Sequence, residues 1–148
     1  MKTFQANGFD SVQPDGWQDR STLTLVGPVA SDGFASNIVV TQQPVDSTTS
    51  VTQFAQSQLA TLATEVQSLD IADEREVSLN GRKLYQRLHS FTVGQQRVAQ
   101  VQTYVFAIVD DQRTAFVITG TTSPEAFDAA MPAFKAFIEG FKTQHNDA

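Results

Sequence analysis

The chain has 148 residues, with 10 Lys and Arg against 16 Asp and Glu for a net charge of -6, and it contains no cysteine. That length suits one domain spanning 1–148. The missing thiols exclude disulfides and thiolate metal sites. The few, scattered basic residues exclude the clustered cationic face that nucleic acid or an anionic lipid surface requires.

Lys2–Ala6 and Phe9–Val12 read as short strand-like pieces. They lead into Pro14-Asp15-Gly16, a turn in which Pro14 fixes φ and Gly16 can take positive φ. The turn delivers Trp17, the single tryptophan of the chain, which is expected to plug the rim of the core. Ser21–Val26 alternates Thr and Leu as a strand with one buried face does, and Gly27-Pro28 ends it. Asn37–Gln42 is rich in β-branched residues and reads as the next strand.

Ser50 is placed to cap a helix over Val51–Val66, with apolar residues at Val51, Phe54, Ala55, Leu59, Leu62 and Val66. Gln58 falls on the same line as Phe54, Leu62 and Val66, so its amide needs a partner if it is buried. Ser68–Leu79 is acidic and reads as a solvated loop that becomes a strand only over Glu76–Leu79. Asn80-Gly81 is a strong hairpin signal. Beyond it, strands over Lys83–Val93, Gln95–Val109 and Arg113–Thr121 form a meander broken at Gly94 and at Asp110-Asp111. Ser123-Pro124-Glu125 opens a final helix whose apolar seam runs Phe127, Met131, Phe134, Ile138, Phe141. Pro132 is expected to kink or split it, and Lys142–Ala148 to fray. The expected architecture is α+β: an antiparallel sheet of about six strands with two main helices.

Groups that carry chemistry are sparse. The two histidines, His89 and His145, lie far apart in sequence; no nucleophile elbow accompanies His89, and two distant imidazoles make no zinc site. The acids from Asp70 to Glu76 lack the spacing and central glycine of a calcium loop. No phosphate-binding or dinucleotide fingerprint occurs. The expectation is a protein that is not an enzyme, with no catalytic residues, no metal site and no cofactor. No apolar run reaches the ~18 residues of a spanning helix. Met1–Asn7 lacks the apolar core of a secretory signal, so a cytoplasmic location is expected.

Pro14-Asp15-Gly16-Trp17-Gln18-Asp19-Arg20-Ser21 resembles the opening motif of the DcrB-like family, which has the Mog1/PsbP-like fold. The resemblance continues through Asn37–Thr41, Ser50–Ala60, Gln100–Gln102 and the last helix. In length and in lacking a signal the chain is similar to the Eag-type chaperones of bacterial type VI secretion. This implies a homodimer that binds the N-terminal transmembrane helices of a secreted effector and keeps them soluble before export. It also implies, position by position, that Val39, Gln58, Leu62, Val66, Val98 and Gln102 contact that client. Thr22 and Thr24 stand where such relatives often carry larger apolar residues, unless the register turns Leu23 and Leu25 to the client instead. The alternative implied by the same fold is a non-enzymatic PsbP- or Mog1-like binding or assembly protein with a soluble protein partner.

Overall fold

The computed structural model describes residues 1–143 and the backbone of 145 and 146. The chain runs β1 (Lys2–Ala6), β2 (Phe9–Gln13), β3 (Leu23–Val29), β4 (Ala35–Pro44), α1 (Val51–Glu65), β5 (Gln67–Leu79), β6 (Arg82–Val93), β7 (Gln96–Val109), β8 (Gln112–Thr122), α2 (Phe127–Gly140) and β9 (His145–Asn146). Six long antiparallel strands lie in the order β3-β4-β8-β7-β6-β5, and the two-residue β9 pairs with β7. β1 and β2 form a separate two-stranded sheet. The α+β class, the two helices and the six-stranded sheet agree with the sequence reading.

The two helices cover opposite faces of the large sheet. On one face, Phe54 and Ala55 of α1 pack with Tyr85, Tyr104, Phe106, Ala115 and Val117. On the other, Phe137, Ile138 and Phe141 at the end of α2 pack against Val40, Leu84, Val105 and Ile118. Period-2 alternation makes this possible, because each central strand sends one apolar set to each helix.

Local signals explain the joints. Ser50 forms a full capping box: its hydroxyl accepts from the Gln53 N–H, and the Gln53 side chain accepts from the Ser50 N–H. Asn80-Gly81 and Asp110-Asp111 all adopt positive φ, which suits two-residue hairpins to the twist of their strands. At Gly120 a Cβ would lie 2.7 Å from the ring of Phe134, so α2 sits on the sheet where a side chain is missing. Gly120→Ala should therefore cost about 1–3 kcal/mol by overpacking, measured as a lower chemical-denaturation midpoint at unchanged slope. An unchanged midpoint would show that Phe134 can move aside freely.

Five expectations need correction. Trp17 is not a core plug: the indole is 71% exposed. Its turn forms, with the Trp17 N–H on the Pro14 carbonyl, but among the described residues the β1–β2 hairpin joins no larger sheet and offers no core to fill. The acidic segment is not a loop: it is β5, paired with β6 along its length. An edge strand tolerates carboxylates, which also discourage pairing with other chains. Ser123 does not cap α2, which begins at Phe127; its hydroxyl instead accepts from the Ala126 N–H in the preceding turn and donates to Asp32. Of the two outcomes expected at Pro132, a kink or a split, the split does not occur: α2 is one helix from Phe127 to Gly140. The proline removes one backbone donor, and burial of Phe134 together with the packing of Phe137 and Ile138 holds the helix across the gap. The expected frayed tail covers residues partly outside the described set, but His145–Asn146 pair with Ala107–Ile108.

Candidate functional site

The register fixes which side chains share the α1 face. One row runs Glu74, Arg87, Gln102, Thr119, Val39, Thr24 across β5, β6, β7, β8, β4 and β3. The next runs Ile71, His89, Gln100, Thr121, Asn37, Val26 across the same strands. Phe91 opposite Val98 begins a third. The β6 ends of these rows are buried, whereas Thr24 and Val26 are exposed and Asn37, Val39, Thr119 and Thr121 are half-buried. α1 packs over β5, β6 and β7. The α1 face is thus closed at β6 and open towards β8, β4 and β3.

All six candidate residues belong to this face or to the helix lying on it. Val39 and Gln102 are in the first row, and Val98 stands beside Phe91, itself buried. Gln58 and Leu62 are half-buried on α1, and Val66 is its C-cap. Among the described residues the Gln58 amide forms no hydrogen bond, and it is not sealed from solvent. The register also fixes which face each β3 residue is on. Thr24 pairs with Val39 and faces the open side, while Leu23 pairs with Val40 and packs in the α2 core. Thr22 precedes the strand.

Gln102 is the outer end of a polar chain that begins at the acidic edge. Arg87 is fully buried; its Nε meets Glu74 at 3.2 Å, and its two terminal nitrogens donate to Tyr104 Oη and to the Ala55 carbonyl, each at 3.0 Å. Its guanidinium lies 5.6 Å from both the Tyr85 and Tyr104 ring centres. Tyr85 Oη donates to Glu74 and accepts from Gln56. Tyr104 Oη donates to Gln102 Oε1 at 2.6 Å, and Gln102 Nε2 reaches Thr119 at a long 3.4 Å. The Gln102 oxygen is committed to the protein, while its amide donors are held loosely and point along the open face. Burial pushes the Tyr104 hydroxyl up from its ordinary pKa, so it remains a donor.

His89 is a core residue. It stacks on Phe91, and its Nε2 lies 2.8 Å from Gln100 Oε1, while Gln100 Nε2 donates to Thr121. That orientation of Gln100 puts the His89 proton on Nε2 and leaves a bare Nδ1, which is buried without a partner. Burial, with a smaller effect from Arg87, lowers the His89 pKa below its usual 6.5, against a weaker upward pull from Gln100. The unfolded chain then takes up a proton more readily than the folded one. Stability should be complete above pH 6.5 and fall as pH drops below it, through the lower folded pKa. His89→Phe should flatten this part of the pH–stability curve, and an unchanged slope between pH 7 and 5 would place the effect elsewhere. Among the described residues no three His, Cys, Asp or Glu are grouped to hold a metal ion.

Sequence reasoning missed Arg87 and Tyr104. The signal was there: Tyr85, Arg87, His89 and Phe91 share one parity, so a charged side chain on an otherwise apolar face had to be buried and partnered.

The DcrB family profile matches residues 12–140. The chain belongs to the DcrB family. No curated protein sequence matches it. Among solved structures it is similar to the PA94 protein of Pseudomonas aeruginosa, described as being of unknown function, with a TM-score of 0.81 at 14% identity over 97% of both chains. LpqN of Mycobacterium tuberculosis, involved in cell envelope biogenesis, aligns with a TM-score of 0.56 at 11% identity over 81% of this chain and 82% of its own. The cyanobacterial PsbP of Synechocystis aligns with a TM-score of 0.50 at 12% identity over 96% and 91%. These likenesses establish a PsbP-like fold for this DcrB domain, and none of its described helices is long and apolar enough to cross a membrane.

Proposed function

We propose that this DcrB-family protein is a chaperone that holds the N-terminal transmembrane helices of a type VI secretion effector soluble in the cytoplasm before export. The observation that carries the reading is the open half of the α1 face, where Val39 and the Gln102 amide share a row beside α1 with its solvated Gln58. Its dimensions suit such a client. Three strands at ~4.8 Å spacing give a floor roughly 14 Å wide, against a helix diameter of about 10–12 Å. The ten residues of β4 extend roughly 34 Å, against about 30 Å for a membrane helix of about 20 residues. Apolar positions would take the aliphatic surface. The Gln58 and Gln102 amides would meet polar atoms that a membrane helix exposes when removed from its own partners. One sheet face covers only one side of a helix, so two copies enclose it.

Co-expression with the N-terminal apolar segment of an effector encoded beside it tests this. The segment should move from the pellet to the soluble fraction and co-elute with the protein, and a segment that stays insoluble would count against the reading. The threonine and asparagine positions of the same face favour a second reading, a soluble globular partner of the kind an assembly protein takes. Capture of such a partner with no membrane segment in it would support that reading.

A further inference from the structure

The turn at Asn80-Gly81 sets the last residue of β5, Leu79, opposite the first of β6, Arg82. Alternation along β6 sends Arg82 and Leu84 to one face, and Leu84 packs in the α2 core. Arg82 is therefore a cation on the α2 face, the side of the sheet away from Val39 and Gln102. It stands at a cavity of about 490 Å³ between the sheet and the end of α2, whose lining includes Leu79, Leu84, Ile118, Phe141, Arg82 and Lys142. Leu84 and Ile118 are buried and give it an apolar floor. The volume falls within the roughly 300–1,000 Å³ of small-ligand sites. Among the described residues its lining holds two cations and no acid, in a chain whose net charge is -6.

Arg82 is half-buried, and its two terminal nitrogens donate to one neutral oxygen, the Thr143 hydroxyl, at 3.3 and 3.1 Å. Among the described residues no carboxylate pairs with it. Burial draws its pKa down from the ordinary value, and no neighbouring charge pulls it back up. Arg87 is the contrast: the fold gives that guanidinium a carboxylate, a tyrosine oxygen and a carbonyl. At Arg82 two parallel N–H groups converge on a single neutral acceptor. A carboxylate matches that fork, because its two oxygens take one N–H each. We propose that the cavity is a binding site for a fatty acid: Arg82 holds the carboxylate, with Lys142 on the same lining, and the aliphatic chain lies against Leu84, Ile118 and Phe141. The apolar wall decides the rest of the ligand. A sugar or peptide would bury hydroxyls and amides against leucine, isoleucine and phenylalanine, whereas a hydrocarbon chain loses nothing there. The site lies on the other face from the proposed client surface and is independent of it.

Titration calorimetry of the full chain with decanoate, below its micellar concentration, tests this. Decanoate should bind at one site per chain. Affinity should rise about tenfold for each added pair of methylenes from octanoate to decanoate to laurate. Decanol, which lacks the charge, should bind at least tenfold more weakly than decanoate. Arg82→Gln should weaken decanoate at least tenfold and leave decanol unchanged, and Arg82→Lys, which keeps the charge and loses the fork, should fall between. Leu79→Trp should fill the cavity and abolish binding with an unchanged circular dichroism spectrum, so it serves as the test if Arg82→Gln fails to fold. Absence of decanoate binding, or equal binding by wild type and Arg82→Gln, would overturn the site. Binding that survives Leu79→Trp would overturn the cavity as its location. Tighter binding of decyl phosphate than of decanoate would overturn the carboxylate. Loss of decanoate in Val39→Asp but not in Arg82→Gln would overturn the proposal by placing the fatty acid on the open α1 face, and would leave the client-binding reading standing.

Discussion

Glu74→Leu should lower stability by about 3 kcal/mol, near the low end of the 3–5 kcal/mol typical when a buried charge loses its partner. The thermal midpoint should fall by about 10 °C for a domain of this size. Arg87 is wholly buried, and among the described residues Glu74 is the one carboxylate bonded to it. Without that carboxylate the guanidinium keeps only neutral company: Tyr104 Oη, the Ala55 carbonyl and two tyrosine faces. Those contacts set the cost below the upper end. The reverse change, Arg87→Met, should cost less, about 1–2 kcal/mol, because the Glu74 side chain is 34% exposed and can be rehydrated once its partner is gone. The double variant should be closer to wild type than Glu74→Leu alone, since two apolar side chains of similar size replace a desolvated pair. Chemical denaturation of all three variants decides it. If Arg87→Met proves costlier than Glu74→Leu, packing of the arginine stem outweighs the charge.

The same network shows how far the sequence could be read. Alternation in β6 and β7, the Asn80-Gly81 turn and the Ser50 capping box are local signals, and local chemistry governs those elements. The placement of Val39, Val98 and Gln102 on one face also follows from parity once the strands pair antiparallel. Misread features depended on distant partners. β5 looked like a loop because its pairing energy comes from β6 and its carboxylate is fixed by Arg87, neither visible in an acidic run. Trp17 looked like core because indoles usually are, and nothing local says that its hairpin stands apart from the sheet. α2 crosses Pro132 because Phe134 docks on Gly120, a contact between residues 14 positions apart across a turn. The sequence alone also left open whether Leu23 or Thr24 faces outward; the pairing of β3 with β4 decided it.

Val39→Asp should weaken capture of an apolar helix by roughly hundredfold while leaving the fold intact. Val39 sits mid-strand in β4, between Thr24 and Thr119 on the open half of the α1 face. It is half-buried, so an aspartate there stays hydrated in the free protein. A docked helix would strip that water and bury a carboxylate against aliphatic surface, a loss of about 2–3 kcal/mol even after the charge adjusts, and each 1.4 kcal/mol is about tenfold in affinity. Gln58→Ala should cost less, roughly tenfold, since it removes a single hydrogen-bonding group that the free protein leaves to solvent. Ile71→Ser lies on the opposite edge strand, exposed beside His89, and should leave capture unchanged. The readout is the fraction of an effector's N-terminal apolar segment that remains soluble and co-purifies, compared across the three variants at matched expression. Equal capture by Val39→Asp and wild type would move the binding surface off this face. Equal loss in Ile71→Ser would show that capture depends on general stability and not on the row that joins Val39 to Gln102.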